Sequence, residues 1–303
     1  MRIVLIGTVE STAVTLEALV AGGHAPVGVV GLQAARAARH SDFVDMGARA
    51  ADHGLPFLGV VSANSDDAVA WVQALDPDWI IVVGWSEICR APLLSKARRG
   101  GIGYHPAPLP ALRGRAVLAW TILLGLTETA GTLFTLEATV DSGAILAQRR
   151  FAVDQHETLP TLMAKHMAAL SEMWADLLPR LAKGPLEGVE QDEALATYCA
   201  KRVAADGRID WRWNPHSIDR LIRAVSAPYP GAFGILGTRK LIIWEAEVWN
   251  GQRHYGLPGQ VVQVGGQGVL VTCGDGGAIL IRRWNWAEDC EPSRLRVNDR
   301  FDI

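Results

Sequence analysis

Three short runs in the first third of the chain, "RIVLIG" (2–7), "APVGVVGL" (25–32) and "DWIIVVGW" (78–85), are apolar at nearly every position. A strand with one wet face alternates apolar and polar residues, so runs this short and continuous need cover on both faces. Stretches of helical spacing fill the intervals. "STAVTLEALVAGG" (11–23) stops at Gly22-Gly23, "FVDMGARAADHGLP" (43–56) reads as a helix ending at Gly54, and "DDAVAWVQALDP" (66–77) closes at Pro77, with a short strand "FLGVV" (57–61) between the last two. Strands alternating with helices predict an α/β fold, a doubly wound and mostly parallel sheet with right-handed crossovers.

The pattern continues with a short helix in "APLLSKARRG" (91–100), a strand "GIGYH" (101–105), a proline loop over 106–112 and a helix "AVLAWTILLG" (116–125). Two strands follow in "TAGTLFTLEATVDSGAILAQRRFAV", separated by the turn Asp141-Ser142-Gly143, and then a long helix from about Thr158 to Leu181. Near residue 204 the character changes to one amphipathic helix, "HSIDRLIRAVS", and short strands at regular intervals between Gly-rich turns, the pattern of a small β-barrel. A chain of 303 residues exceeds the usual single-core size. The expected division is a catalytic domain over 1–203 and a smaller β-barrel-like domain over 204–303.

Apolar runs are too short for a signal-peptide core or a membrane span, which leads us to expect a cytoplasmic protein with no membrane partner. The four cysteines, Cys89, Cys199, Cys273 and Cys290, lack any Cys-x-x-Cys spacing; reduced thiols, mostly in the core, are expected rather than a zinc site or a disulfide framework. A net charge of −3 supplies no general attraction for a polyanion, although Arg98 and Arg99 are candidates to hold a phosphate. Of the eleven tryptophans, Trp211, Trp213, Trp244, Trp249, Trp284 and Trp286 fall after residue 200 and read as core and strand-face residues.

"GTVEST" after the first strand lacks the second and third glycines of a dinucleotide fingerprint and reads as a tight strand-to-helix turn. His105 stands at the end of a strand entering a loop, and Asp141, 36 positions on, occupies a turn with Gly143 two residues later. Each alone is unremarkable. Together they form a candidate base and orienter, because a carboxylate bonded to imidazole fixes its tautomer and stabilises its cation.

These same residues carry a family resemblance. "HPAPLPALRGRAVLAW" followed by "TETAGTLFTLEATVDSGAILAQ" resembles the 10-formyltetrahydrofolate-dependent formyltransferases, whose pattern is Asn-x-His, a Ser-Leu-Leu-Pro-like loop, Arg-Gly, a helix with Trp, and a strand leading to Asp-x-Gly. "RIDWRWNPHSIDRLIRAVSAPYPGAFGILGTRKLIIWEAEVW" and "PGQVVQVGGQGVLVTCGDGGAILI" are similar to the C-terminal domain of methionyl-tRNA and amino-sugar formyltransferases. The resemblance implies a Rossmann-like formyltransferase domain, 10-formyltetrahydrofolate as co-substrate, no metal, and a primary amine as acceptor. It makes His105 the catalytic histidine and Asp141 its partner. It aligns Ala107, Pro108, Leu109 and Pro110 with the folate-contacting loop, with Ala107 in place of the serine. Glu87, Ile88 and Cys89, Arg115, and Glu137, Ala138, Thr139 and Val140 fall where related enzymes wrap the pterin and formyl end of the cofactor.

One position departs. The family has asparagine where this chain has Gly103, and that amide is thought to steady the oxyanion of the tetrahedral intermediate. Losing one such donor elsewhere costs about 2.7–4 kcal/mol of barrier. Three outcomes stand open: a water or substrate group supplies the donor, another residue near Ala107 or the His105 imidazolium takes the role, or transfer is lost and only folate or substrate binding remains. For the acceptor, the acidic balance and the run "HSDFVDMGARAADHGLP", where initiator-tRNA enzymes carry a basic loop, favour a nucleotide-linked amino sugar or other small metabolite amine over tRNA. Mixed charges after residue 200 (Arg202, Arg208, Arg212, Arg220 and Arg223 beside Asp206, Asp210 and Asp219) point the same way. The C-terminal domain is left two roles, homodimer contacts or completion of the acceptor pocket.

Overall fold

The computed structural model describes residues 1–39, 42–184, 186–288 and 293–303. His40 and Ser41, in the run read as replacing a basic loop, and Cys290 lie outside the described residues. The chain forms two compact units, one from Met1–Val117, Glu128–Ala152 and Met163–Ala200, the other from Leu118–Thr127, Val153–Leu162 and Lys201–Ile303.

In the first unit the alternation yields β1 (Ile3–Ile6), α1 (Glu10–Ala21), β2 (Gly28–Leu32), α2 (Met46–Asp52), β3 (Phe57–Val60), α3 (Asp66–Ala74), β4 (Trp79–Val82), α4 (Ala91–Leu94) and β5 (Gly101–His105). Next come the two-residue strand β6 (Arg113–Gly114) and helix α5 (Val117–Leu123), which falls, after its first residue, in the second unit. Then follow β7 (Glu128–Thr135), β8 (Ile145–Ala152), the long α6 (Leu159–Lys183), in this unit from Met163 onward, and a second two-residue strand, β9 (Tyr198–Cys199). The sheet runs β3-β2-β1-β4-β5-β7-β8, parallel from β3 through β5, with β7 and β8 added antiparallel. Every residue of β1 is fully buried, as an apolar strand covered on both faces must be. Helix α6 lays Leu170, Met173, Trp174, Leu177, Leu178 and Leu181 into the core on one side, and Trp174 Nε1 donates to Thr15 Oγ1 on α1 at 3.1 Å.

Helix α2 starts later than its spacing suggested. Phe43 forms a β-bridge with Val9, and Asp45, held extended, accepts the N–H groups of Gly47 and Ala48, so the residues before Met46 serve as cap rather than helix. At the turn after β1, the Gly7 N–H goes to the Val30 carbonyl at 3.0 Å, so this group is spent within the sheet.

The second unit contains α7 (Pro215–Ala224) and the strands β10 (Ala232–Leu236), β11 (Arg239–Val248), β12 (Val261–Gly265), β13 (Gly268–Thr272) and β14 (Ala278–Trp286). They form an antiparallel sheet in the order β10-β11-β14-β13-β12. Trp211 is fully buried and stacks on Phe301 with centroids 4.9 Å apart. Helix α7 begins where its sequence says it should: Asn214 accepts the Ser217 N–H at 2.9 Å, Pro215 occupies the first turn, and Ile218, Leu221 and Ile222 face inward. Replacing Asn214 by Ala is expected to lower the unfolding free energy by about 1 kcal/mol, and Asn214→Asp to retain it; urea denaturation of both variants checks this, and equal losses would show that the cap is not used.

Candidate active site

Strand β5 reads Gly-Ile-Gly-Tyr-His, and its period of two puts Gly101, Gly103 and His105 on one face. Two missing side chains in line leave a groove along that face. Leu136, the first residue after β7, lies in it: a Cβ at Gly101 would fall 3.0 Å from Leu136 Cδ1, and one at Gly103 would fall 2.7 Å from Leu136 Cδ2 and 3.0 Å from Phe134 Cζ. The backbone follows the side chain, with the Leu136 N–H donating to the Gly101 carbonyl at 2.9 Å. From there the exposed segment 137–140 leads to Asp141, and the chain re-enters the sheet through Gly143, where a Cβ would sit 1.8 Å from the Thr135 carbonyl oxygen. The Asp-x-Gly turn thus needs its glycine for close approach.

This path ends with Asp141 Oδ2 at 3.6 Å from His105 Nδ1, the two side chains being 18% and 7% exposed. That is ion-pair range, longer than a hydrogen bond. The same oxygen accepts the Gly114 N–H at 2.9 Å, and on the far side of the ring Nε2 donates to the Leu112 carbonyl at 2.7 Å. Both ring nitrogens therefore face acceptors. The Leu112 carbonyl, which can only accept, fixes a proton on Nε2 and leaves Nδ1 facing the carboxylate. Backbone strain gathers here too, since Leu112, Ala116 and Asp141 all take left-handed φ values of 61°, 56° and 53°.

The proline loop is pinned from below. His105 pairs with Thr132 across β5 and β7, and Thr132 with Gln148 across β7 and β8. The buried Thr132 hydroxyl donates to the Ala107 carbonyl at 2.6 Å, and Gln148 Nε2 donates to the Leu109 carbonyl and to Thr132 Oγ1, each at 3.0 Å. Ala107 and Leu109 are buried, Pro108 and Pro110 half-buried, and Arg115 is exposed. On the opposite face of β5, the Tyr104 hydroxyl is hydrogen-bonded to His166 Nδ1 at 2.9 Å, and burial raises its phenol.

Glu87, Ile88 and Cys89 are divided between roles. The Glu87 carboxylate accepts Ser62 Oγ at 2.7 Å and the Ala63 N–H at 3.0 Å; burial works against its charge, but these bonds hold it below the usual carboxylate range. Cys89 is buried in the core and its thiol is pushed up to about 12 by desolvation and the neighbouring Glu87 charge. Ile88 is 59% exposed and Val140 43%, and the residues 137–139 before it are exposed too. Of the two candidate phosphate ligands, Arg98 is paired with Asp76 and Asp78, and Arg99 Nη1 donates to the Leu181 carbonyl at 3.3 Å. Structural bonds therefore occupy the pair. Among the described residues no cluster of three His, Cys, Asp or Glu is placed to hold a metal ion, and no helix is long and apolar enough to cross a membrane.

Sequence reasoning missed Thr132 and Gln148, which nothing in the local pattern of β7 and β8 sets apart. It also missed Arg113, fully buried, and Gln191, which bonds the turn of Asp141.

The formyl transferase family model matches residues 1–176, and the model for the formyl transferase C-terminal domain matches 202–291. Among solved structures, the chain is similar to HypX from Aquifex aeolicus in complex with tetrahydrofolic acid (TM-score 0.68, 19% identity, 94% of this chain and 44% of that one). It thus spans less than half the length of HypX. It is similar as well to the N-formyltransferase from Helicobacter canadensis in complex with folinic acid and dTDP-3-aminofucose (0.67, 14%, 93% and 99%). A third likeness is to the methionyl-tRNA formyltransferase from Clostridium thermocellum (0.57, 18%, 83% and 96%).

If Leu136 fills the groove, Gly103→Ala lowers the unfolding free energy by about 1–3 kcal/mol through overpacking, and costs clearly less when Leu136 is already alanine. A double-mutant cycle in urea measures this; equal costs in both backgrounds would show that the groove holds something else.

Proposed function

The chain belongs to the formyl transferase family, and on that footing we propose that it moves a formyl group from 10-formyltetrahydrofolate to a primary amine of a small metabolite, an amino sugar carried on a nucleotide being the first choice. The observation that carries the reading is the meeting of His105 and Asp141 at 3.6 Å, at the carboxyl end of a sheet strand where α/β proteins bind ligands.

The residues suit a folate. Exposed Ile88 and Val140 offer apolar surface, and exposed Arg115 a charge, to the pterin and formyl end of the cofactor, and the pinned loop 107–110 a fixed wall. Bound there, the co-substrate supplies the formyl carbon: a new C–N bond forms to the acceptor amine as the C–N10 bond breaks. The protein's part is the proton. The amine gives one up as it bonds, the folate nitrogen takes one as it leaves, and His105, backed by the Asp141 carboxylate, is the group that relays it. To do so its Nε2 must turn from the Leu112 carbonyl to the substrate.

A second reading has its own support. The position of the family's asparagine is Gly103, with Leu136 and Phe134 in the space beside it, and His105 Nε2 is bonded to the protein itself. Both observations suit a homologue that binds folate or substrate without transferring the formyl group. A tRNA acceptor has less support: Arg212 and Arg223 are paired with Asp210 and Asp219, and Arg202 donates to the Asp206 carbonyl and lies over Trp120. Arg212 and Arg223 are thus committed to carboxylates of the same unit rather than left for a phosphate backbone.

The test is release of tetrahydrofolate from 10-formyltetrahydrofolate, followed by absorbance with a panel of nucleotide-linked amino sugars and small amines. The reading expects amine-dependent release that falls at least about a hundredfold in His105→Ala and in Asp141→Asn. Tight folate binding with no release for any amine would establish the second reading, and sub-micromolar tRNA binding at physiological salt would restore the tRNA acceptor.

A further inference from the structure

The segment 189–199 lies between the residues matched by the two family models, yet it bonds to every part of the His105–Asp141 arrangement. We propose that this segment is a clamp that sets the position of the pair, and that Gln191, oriented by the buried Arg113, is its central positioning residue. The proposal rests on the reading of His105 and Asp141 as the reacting pair.

The clamp first pairs with the start of β8, Val189 and Ile145 exchanging N–H to carbonyl bonds of 2.9 and 2.8 Å just beyond the Asp141 turn. The Gln191 amide then reaches the turn directly: Nε2 donates to the carbonyls of Asp141 at 2.9 Å and Gly143 at 2.7 Å. Further along, Thr197 Oγ1 accepts the N–H of Leu112, whose carbonyl in turn receives His105 Nε2. Finally β9 pairs in parallel with β6, placing Gly114, the donor to Asp141, against Cys199. At Gly114, φ is 106° and a Cβ would lie 2.5 Å from the Cys199 carbonyl oxygen, so only glycine allows the approach. The acceptor of the histidine, the donor to the aspartate and the aspartate's own turn are thus all tied to one segment. These bonds hold Leu112 and Asp141 in left-handed conformations that isolated residues of their type avoid.

An amide can flip, and the clamp works only in one orientation. Arg113 fixes it. Its guanidinium is fully buried, and Nε and Nη2 both donate to Gln191 Oε1, at 3.2 and 2.8 Å. The remaining donors go to Glu193 as a bidentate pair at 2.9 and 2.7 Å and to the Tyr198 hydroxyl at 3.3 Å, so every partner of the buried cation is on the clamp. A buried arginine is tolerated only when all its donors are satisfied. With the carbonyl side of Gln191 held by a cation, its NH2 must face the two carbonyls of the turn.

Gln191→Glu separates positioning from packing. The side chain keeps its shape and its bond to Arg113, but loses both donors and turns an anion toward two carbonyls. The expectation is a tenfold to hundredfold fall in kcat with the KM for folate within about threefold of wild type. It also expects the 15N resonances of the His105 ring to move in the direction they move in Asp141→Asn, at an unfolding midpoint close to wild type. Glu190→Gln, an exposed neighbour, is the control and should do neither. Should Gln191→Glu not fold, Gln191→Met, similar in size and unable to donate, carries the same expectation. His105 resonances unchanged from wild type in the folded variant would overturn the clamp. Because the ring spectrum needs no turnover, it decides the matter even if the wild-type protein transfers no formyl group.

Discussion

Where Asp141 can sit is decided by side chains that strand β5 does not have. With hydrogen at positions 101 and 103, a furrow opens along the sheet face, Leu136 drops into it, and the chain leaving β7 is folded back along β5 instead of running on past the sheet edge. With Leu136 seated there, the segment 137–140 brings the chain round to Asp141, 3.6 Å from His105. Position 103, where the resemblance implies an amide, is a glycine with Leu136 and Phe134 beside it.

That substitution gives the chemistry a particular shape. A donor for developing negative charge on the formyl oxygen is worth several kcal/mol wherever it has been removed from comparable sites. Position 103 offers none, and Tyr104, on the opposite face and bonded to His166, is not a substitute. The ring of His105 lies between two acceptors, the Leu112 carbonyl and the Asp141 carboxylate.

Much of this was legible in the sequence. Continuous apolar runs separated by helical spacing foretold the parallel sheet, because period-two is a local rule, whereas His105 and the Asp-x-Gly turn were only candidates whose joining rested on the family resemblance. What stayed hidden is long-range. Nothing in "PLEGVEQDEALATYC" marks Gln191 as a ligand of a turn 50 positions earlier, and nothing around Arg113 says that it is buried and Arg115 exposed. Arg98 was misread for a related reason: a basic dipeptide looks free until the fold brings Asp76 and Asp78 beside it. The start of α2 was missed because Phe43 is drawn into a bridge with Val9, a tertiary contact overriding local spacing.

The central claim is that the pair faces the donor's formyl group, and a crystal structure with 5-formyltetrahydrofolate tests it most directly. The account predicts the formyl carbon within about 4 Å of the His105 ring, with Nε2 turned from the Leu112 carbonyl toward the ligand and Leu136 still seated against Gly103. A folate bound elsewhere, or one bound at this edge with the His105 to Leu112 bond intact and the ring out of reach, would contradict it.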